Sequence, residues 1–284
     1  MRKRIQSLGE KYIPKLVGFG LNSWALIQPD ASAVKAFNIF CTPRKGRVQS
    51  WQKKFLKKFK LENIHFDDLE ISAAYYVYGD GPKTILLCHG WESNSFRWRK
   101  LFKYLKDLDY KIVMVDGPGH GATTGNKFNA LLYTRIINGV AEVFNPEIII
   151  GHSIGGYASL LYTANYQPSF IKKIVILASP NKLSDITTTY FNILGLSKKM
   201  QRHYYKFFNK HFGNIEDYSA ENFVEKIKQP GIIIHDRNDK INGFEDGAAI
   251  AESWKGGQLY EVEGLDHSLQ GKEVFEKVVE YINQ

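Results

Sequence analysis

The chain has 284 residues, 44% of them hydrophobic, enough for one large domain with a full core or two small ones. No apolar run reaches the roughly 20 residues that a membrane-spanning helix needs, and with only Cys41 and Cys88 there is no disulfide framework, which fits a reducing cytoplasm. The net charge of +9 is lopsided: residues 1–60 hold 14 Lys+Arg against 2 Asp+Glu, a net of +12, and the other 224 hold 24 against 27, a net of −3.

The chain opens with the positive charge of a signal peptide, but Gln6, Glu10, Lys11 and Lys15 interrupt any continuous apolar segment, so secretion is not expected. Three helical patterns follow. Ile5, Leu8, Tyr12, Leu16 and Phe19 recur at helical spacing; Pro29-Asp30 reads as the start of a helix carrying Ala33, Phe37 and Phe40; and Trp51, Phe55 and Phe59 form a stripe among Lys53, Lys54, Lys57, Lys58 and Lys60. Residues 1–60 therefore read as a basic helical extension. An aromatic stripe of this kind is more often docked on its own domain, with the lysines in water, than laid on an anionic membrane surface, which is the second use open to the segment. Nucleic-acid binding is not expected, because the basic segment carries no recognised reading motif.

From residue 61 the pattern changes to alternating strands and helices. Residues 71–78, 84–88, 112–115, 148–150, 174–177, 232–234 and 259–262 are short apolar runs. Amphipathic stretches lie near 95–108, 129–143, 153–166, 243–254 and 272–282. Continuous apolar strands flanked by helices predict an α/β fold, a mostly parallel sheet covered on both faces, with chemistry gathered at the carboxyl ends of the strands. No linker or repeat interrupts residues 61–284, so one domain is expected there, with an insertion of about 181–229.

The motifs fall at those strand ends. Residues 84–88 run into His89-Gly90-Trp91, where a glycine lets the backbone approach a ligand and the Trp91 N–H can serve as an oxyanion donor; His89 reads as a structural prop. Residues 112–115 run into Asp116-Gly117-Pro118-Gly119-His120-Gly121, which lacks the ending of a phosphate loop, so Asp116 reads as a turn-fixing carboxylate and His120 as a rim residue. Gly151-His152-Ser153-Ile154-Gly155 places a serine at a sharp strand-to-helix turn, exposed and strained. The helix start behind it offers its positive dipole end and the Ile154 N–H, the second expected oxyanion donor. A serine nucleophile needs a base and the base an orienting acid. Residues 232–234 lead to Asp236 and Asp239, of which Asp239 is the choice and Asp236 the fallback, and the last strand leads to Asp266-His267, giving the chain order Ser, Asp, His. No cysteine pair or His-x-x-x-His face predicts a metal, and this chemistry asks for no cofactor.

Together, His89-Gly90-Trp91, the 116–121 loop, Gly151-His152-Ser153-Ile154-Gly155-Gly156, Asp239 and Asp266-His267 resemble the α/β-hydrolase fold superfamily over about residues 70–284. The resemblance implies an eight-stranded, mostly parallel sheet with the second strand antiparallel, a triad of Ser153, Asp239 and His267, and a helical cap in the 181–229 insertion. Members with an aspartate nucleophile are disfavoured by the serine. The cap interval is rich in Tyr190, Phe191, Tyr204, Tyr205, Phe207, Phe208 and Phe212, which predicts an apolar acyl or aryl substrate group unless these rings only pack the cap on the body. The expected activity is hydrolysis of a carboxylic ester or thioester through an acyl-enzyme. The alternatives are another reaction on the same triad (C–C bond hydrolysis, perhydrolysis or acyl transfer) and a non-catalytic binding protein.

Overall fold

The structure is a computed structural model describing the backbone of residues 2–284 and side chains from residue 12 onward, so the expected contributions of Ile5 and Leu8 lie outside the described side chains. Two compact units divide the chain: residues 43–181 with 220–284, and residues 1–42 with 182–219.

The larger unit holds eight strands, β1 (Lys60–Phe66), β2 (Ile71–Tyr78), β3 (Lys83–Cys88), β4 (Tyr110–Val115), β5 (Ile148–His152), β6 (Lys173–Leu177), β7 (Gly231–Asp236) and β8 (Gly257–Val262), in the order β1-β2-β4-β3-β5-β6-β7-β8. β2 runs antiparallel to β1 and β4, and the remaining pairs are parallel. Seven of the eight strands coincide with the apolar runs of the sequence. β1 does not: Lys60, Leu61, Asn63 and His65 face water, so its apolar side chains never form a continuous run. The central strands are buried on both faces, with Leu87 opposite Ile150 and Gly151 opposite Ile176 in register, and each such leucine or isoleucine contributes about 2 kcal/mol by leaving water.

The helices run in chain order α1 (Arg2–Trp24), α2 (Pro29–Phe40), α3 (Lys53–Leu56), α4 (Phe102–Leu105), α5 (Ala130–Phe144), α6 (Ile154–Tyr166), α7 (Leu183–Leu194), α8 (Lys198–Phe212), α9 (Ala220–Val224), α10 (Phe244–Ser253) and α11 (Lys272–Asn283). On one face of the sheet Trp98, Phe102, Leu105, Val274, Phe275 and Val278 join the apolar cluster built on Ile85, Leu87, Ile150 and Ile234. α5 and α6 lie side by side, tied by Thr134 Oγ1 donating to the Ala158 carbonyl at 3.2 Å. The Asn129 side chain caps α5 by accepting from Leu132 N–H at 2.8 Å.

The Trp51 stripe belongs to this larger unit, so the composition-based segment that ran to residue 60 extends past the structural boundary at 42. Its helix is one turn long: the lysines of residues 53–60 crowd like charges at helical spacing, and the chain leaves at Phe59 to enter β1. Phe55 and Phe59 dock on the domain itself, packing against Phe102 at 5.7 and 4.8 Å between ring centres.

The smaller unit is all helix. α1 buries Leu21, as the turn behind it buries Ala25, and Gly18 meets α7 so closely that a methyl group would stand 1.8 Å from the Leu194 carbonyl oxygen. Phe37 of α2 stacks on Phe212 of α8 at 5.2 Å and touches Phe207 at 5.3 Å. Ser32 Oγ donates to the Leu21 carbonyl at 2.8 Å, and Tyr190 OH to the Ala36 carbonyl at 2.7 Å. Phe191, Tyr204 and Phe208 are therefore committed to the core of their own unit. Its 12 Lys+Arg against 5 Asp+Glu give it a net charge of +7.

Candidate active site

Ser153 stands between β5 and α6 with φ 54° and ψ −129°, a conformation a non-glycine residue adopts only under constraint. The glycines around it make the turn possible. A methyl at Gly155 would lie 2.3 Å from the His89 carbonyl oxygen, and one at Gly151 would lie 2.5 Å from Gly156 Cα. The Ser153 N–H is spent on the Leu177 carbonyl at 2.8 Å, which ties the turn to β6. A methyl at Gly90 would come within 3.0 Å of Ser153 Cβ, so the exit of β3, with Trp91 next in sequence, abuts the serine. Ile154 opens α6.

His267 follows β8, and its Nδ1 lies 2.8 Å from Asp239 Oδ2. The Asp239 carboxylate is buried; its other oxygen accepts the N–H groups of Ile241 at 2.8 Å and Asn242 at 3.1 Å. Burial alone would raise its pKa, but hydrogen bonds from His235 and His267, and then the Ile241 amide, outweigh burial and hold it well below the usual carboxylate range. The imidazole of His267 is 16% exposed, reachable from solvent yet anchored. Asp236, the fallback acid, does different work: it accepts from Asn238 N–H at 2.7 Å and from Leu265 N–H, so it fixes both the turn after β7 and the loop that carries His267.

Other histidines lie at the same ends of the strands. His89 is buried, with Nε2 accepting from Gly117 N–H at 2.8 Å and Nδ1 donating to the Gly90 carbonyl at 2.7 Å; burial pushes its pKa down to about 4, and it is a neutral prop. Asp116 fixes its loop by accepting from Ser95 N–H and Oγ at 2.8 and 2.7 Å and from Ala122 N–H at 2.8 Å. His120 differs from expectation: it is fully buried rather than on a rim, because its ring packs on Phe128 at 4.8 Å while Nε2 accepts from Glu92 N–H at 2.9 Å. Two residues carry roles that sequence reasoning missed. His152 Nε2 donates to the carbonyl of His267 at 2.9 Å, bracing the loop from the residue before Ser153. His235 donates to the Asn242 carbonyl at 3.0 Å and stands 3.5 Å from Asp239. The only sequence signal for either was a histidine within or directly after an apolar strand.

The sequence profile of the family described as alpha/beta hydrolase fold matches residues 83–272. The chain belongs to the α/β-hydrolase fold family. Within that family it is 24% identical over 243 residues to a bifunctional esterase/perhydrolase of Acinetobacter calcoaceticus, covering 67% of this chain and 86% of the relative. It is 28% identical over 118 residues to the karrikin insensitive 2 receptor CA of Petunia hybrida, where the match covers 39% of this chain and 43% of the receptor, less than half of that relative's length. Among solved structures, an esterase from Exiguobacterium antarcticum superposes with a TM-score of 0.62 at 16% identity, covering 78% of this chain and 99% of that one, a likeness of fold. The relatives of this α/β-hydrolase-fold chain thus include an enzyme and a receptor, and the hydrogen-bonded strand-end residues described above are what distinguish readings of the site.

Proposed function

We propose that the protein is a serine hydrolase that cleaves a carboxylic ester or thioester. Ser153 attacks the carbonyl while His267 takes its proton, Asp239 holds the imidazole in the tautomer that can accept it, and the Trp91 and Ile154 amides bind the oxyanion. Water activated by the same histidine then releases the acid from the acyl-enzyme. The observation that carries this reading is the 2.8 Å contact of His267 Nδ1 with the buried Asp239 carboxylate, on a loop whose carbonyl is bonded to the residue preceding Ser153. A chain with two buried cysteines and no disulfide framework suits a reducing, cytoplasmic setting.

The apolar acyl or aryl group expected of the substrate draws less support from residues 190–212, since Phe191, Tyr204 and Phe208 fill their own unit's core. Trp91 supports it instead: its indole is 38% exposed, one residue from the glycine that abuts Ser153, and packs edge-on against Phe128 at 5.3 Å. Ser153→Ala should lower turnover of a short p-nitrophenyl ester by roughly 10⁴-fold or more with an unchanged circular dichroism spectrum, and should abolish labelling by a fluorophosphonate probe. Unaltered turnover in that variant rejects the assignment. The esterase/perhydrolase relative favours perhydrolysis as the second reaction to test, by peracid analysis in hydrogen peroxide.

Membrane contact through the N-terminal segment has support in a different place from the Trp51 stripe. Tyr12, Ile13, Leu16 and Phe19 of α1 face solvent, Leu16 and Phe19 at 69% and 71% exposure, on a unit of net charge +7, a combination suited to an anionic bilayer surface. Co-sedimentation with phosphatidylserine vesicles should be lost when Leu16 and Phe19 are both replaced by Gln; equal recovery of the two proteins sinks this reading.

A further inference from the structure

A pocket of about 540 Å³ in the larger unit is walled by Lys45, Arg47, Trp51, Phe96, Arg97 and Arg99 among others; Ser153, Asp239 and His267 are not among its walls. Its charged walls are Lys45, Arg47, Arg97 and Arg99 against a single carboxylate, Glu92. That carboxylate is already engaged, accepting the Arg44 N–H at 2.9 Å. Among the described residues none of the four cations forms an ion pair.

The four are not equally free. Arg47 donates to the carbonyls of Thr123 and Gly125. Arg97 donates one Nη to the Ser268 carbonyl at 2.7 Å, and its Nε is buried without a partner. Arg99 lies over the Phe96 ring at 4.6 Å, an arrangement that leaves the edge of its fork open. Burial and then the nearby charge of Arg99 both disfavour the Arg97 cation. A guanidinium whose Nε is buried without a partner, with a second one in the same pocket and no ion pair to either, is costly, and an oxyanion bridging the two would offset that cost with charge-assisted hydrogen bonds matched to the fork. Trp51, exposed on the same wall and edge-on to Phe96 at 4.8 Å, offers a flat apolar surface next to the cations.

We propose that this pocket binds a small organic anion, with its carboxylate or phosphate on Arg97 and Arg99 and its apolar stem on Trp51. The volume is that of a small-molecule site. The site also borders the loop of His267, through Arg97 on Ser268 and through Gln270, whose carbonyl is 3.4 Å from Lys100 Nζ. Binding is read directly, so its outcome is independent of the hydrolase assignment.

The test titrates the full chain at fixed ionic strength with benzoate, phenyl phosphate, inorganic phosphate and, as the uncharged control, benzyl alcohol, read by calorimetry and by tryptophan fluorescence. Saturable binding of benzoate or phenyl phosphate is expected, and which of the two binds identifies the headgroup. Arg99→Gln should weaken it roughly tenfold, the loss of a charge-assisted contact, Arg99→Lys less, and Lys45→Gln, at an exposed position that folding does not depend on, by a few-fold. The proposal is overturned if neither organic anion saturates, if inorganic phosphate alone binds, if benzyl alcohol binds as well as the anions, or if affinity is unchanged in both Arg99→Gln and Lys45→Gln.

Discussion

The rim at the carboxyl ends of the strands and the helical unit formed by residues 1–42 and 182–219 use their side chains in opposite ways. Five of the eight histidines follow or end strands at this end of the sheet; four of them, His89, His120, His152 and His235, are buried and tied to backbone groups, while His267 keeps an edge open to solvent. The helical unit holds only His203 and His211 and is built from packed aromatic rings inside a shell of lysines and arginines. Directional bonds hold atoms to fractions of an ångström, whereas ring packing fixes a shape with more freedom in its details. Chemistry belongs where the geometry is directional, and substitutions in the two regions should therefore fail differently.

The largest expected effect is at Asp239. Asp239→Asn keeps size and shape but presents an amide to His267 Nδ1, which favours the wrong imidazole tautomer and should lower turnover by about 10⁴-fold, with little change in KM. The same carboxylate makes an acid-linked contribution to stability. Its pKa is depressed on folding, so the contribution is present above the ordinary value of 3.8 and lost as pH falls below it. Asn at this position should flatten the pH dependence of the melting temperature in that acid range; an unchanged acid limb would show that the depressed titration belongs elsewhere.

Next come two glycines, one in each region. Alanine at Gly155 must enter the space of the His89 and Cys88 carbonyl oxygens, 2.3 and 2.4 Å away, and at Gly18 that of the Leu194 carbonyl oxygen. Backbone atoms cannot step aside cheaply, so each variant should lose about 2–3 kcal/mol of stability in denaturant titration. The difference lies in activity: Gly155→Ala should also lose labelling of Ser153 by a fluorophosphonate, because it displaces the Ile154 amide, while Gly18→Ala should keep it. Loss of labelling in both would erase the distinction between the regions.

The same contrast explains what could be read from the sequence. Strands β3 to β7 were legible because parallel strands buried on both faces are continuous apolar runs, and the runs ahead of Ser153, Asp239 and His267 each ended in a polar or glycine cluster; the antiparallel β2 and the half-exposed edge strand β8 were legible from apolar runs of their own. β1 was not, since its exposed Lys60, Leu61, Asn63 and His65 leave no such run. His120 was misread as a rim residue because a histidine in a glycine loop shows neither its burial nor its partner, Glu92 N–H, 28 residues earlier. His152 was passed over for the same reason, its bond being to a backbone carbonyl, which carries no residue identity, and His235 because a histidine at the end of an apolar run shows neither the Asn242 carbonyl nor the Asp239 carboxylate beside it. In the helical unit the aromatic residues were legible as packing material, but the sequence does not state which surface they pack against; Phe37, 170 residues from Phe207, is the partner.

A smaller effect tests the buried histidines. Burial pushes His89 and His120 from an ordinary 6.5 down to about 4, so the unfolded chain binds protons that the folded one refuses between those values. Stability is then full above pH 6.5 and declines as pH falls toward 4, by up to about 1.4 kcal/mol per pH unit for each histidine. His120→Gln, which can still accept from Glu92 N–H through its amide oxygen, should reduce that slope by up to the share of one group. An identical slope in the variant would mean that His120 carries its proton in the folded state.

The smallest effect is expected where the helical unit is most conspicuous. Leu16 and Phe19 lie on the face of α1 opposite Gly18 and Leu21, and because both are largely exposed they contribute little to the fold. Replacing both by Gln should change the unfolding free energy by no more than about 0.5 kcal/mol, whereas Phe37→Ala, which removes a ring packed against Phe207 and Phe212, should cost about 3 kcal/mol. If the Gln pair instead destabilised the chain as much as Phe37→Ala, the exposed face of α1 would be holding the fold together and would not be free for a lipid surface. A near-silent pair in unfolding that nonetheless abolishes vesicle co-sedimentation separates the two faces of one helix, one for packing and one for a partner.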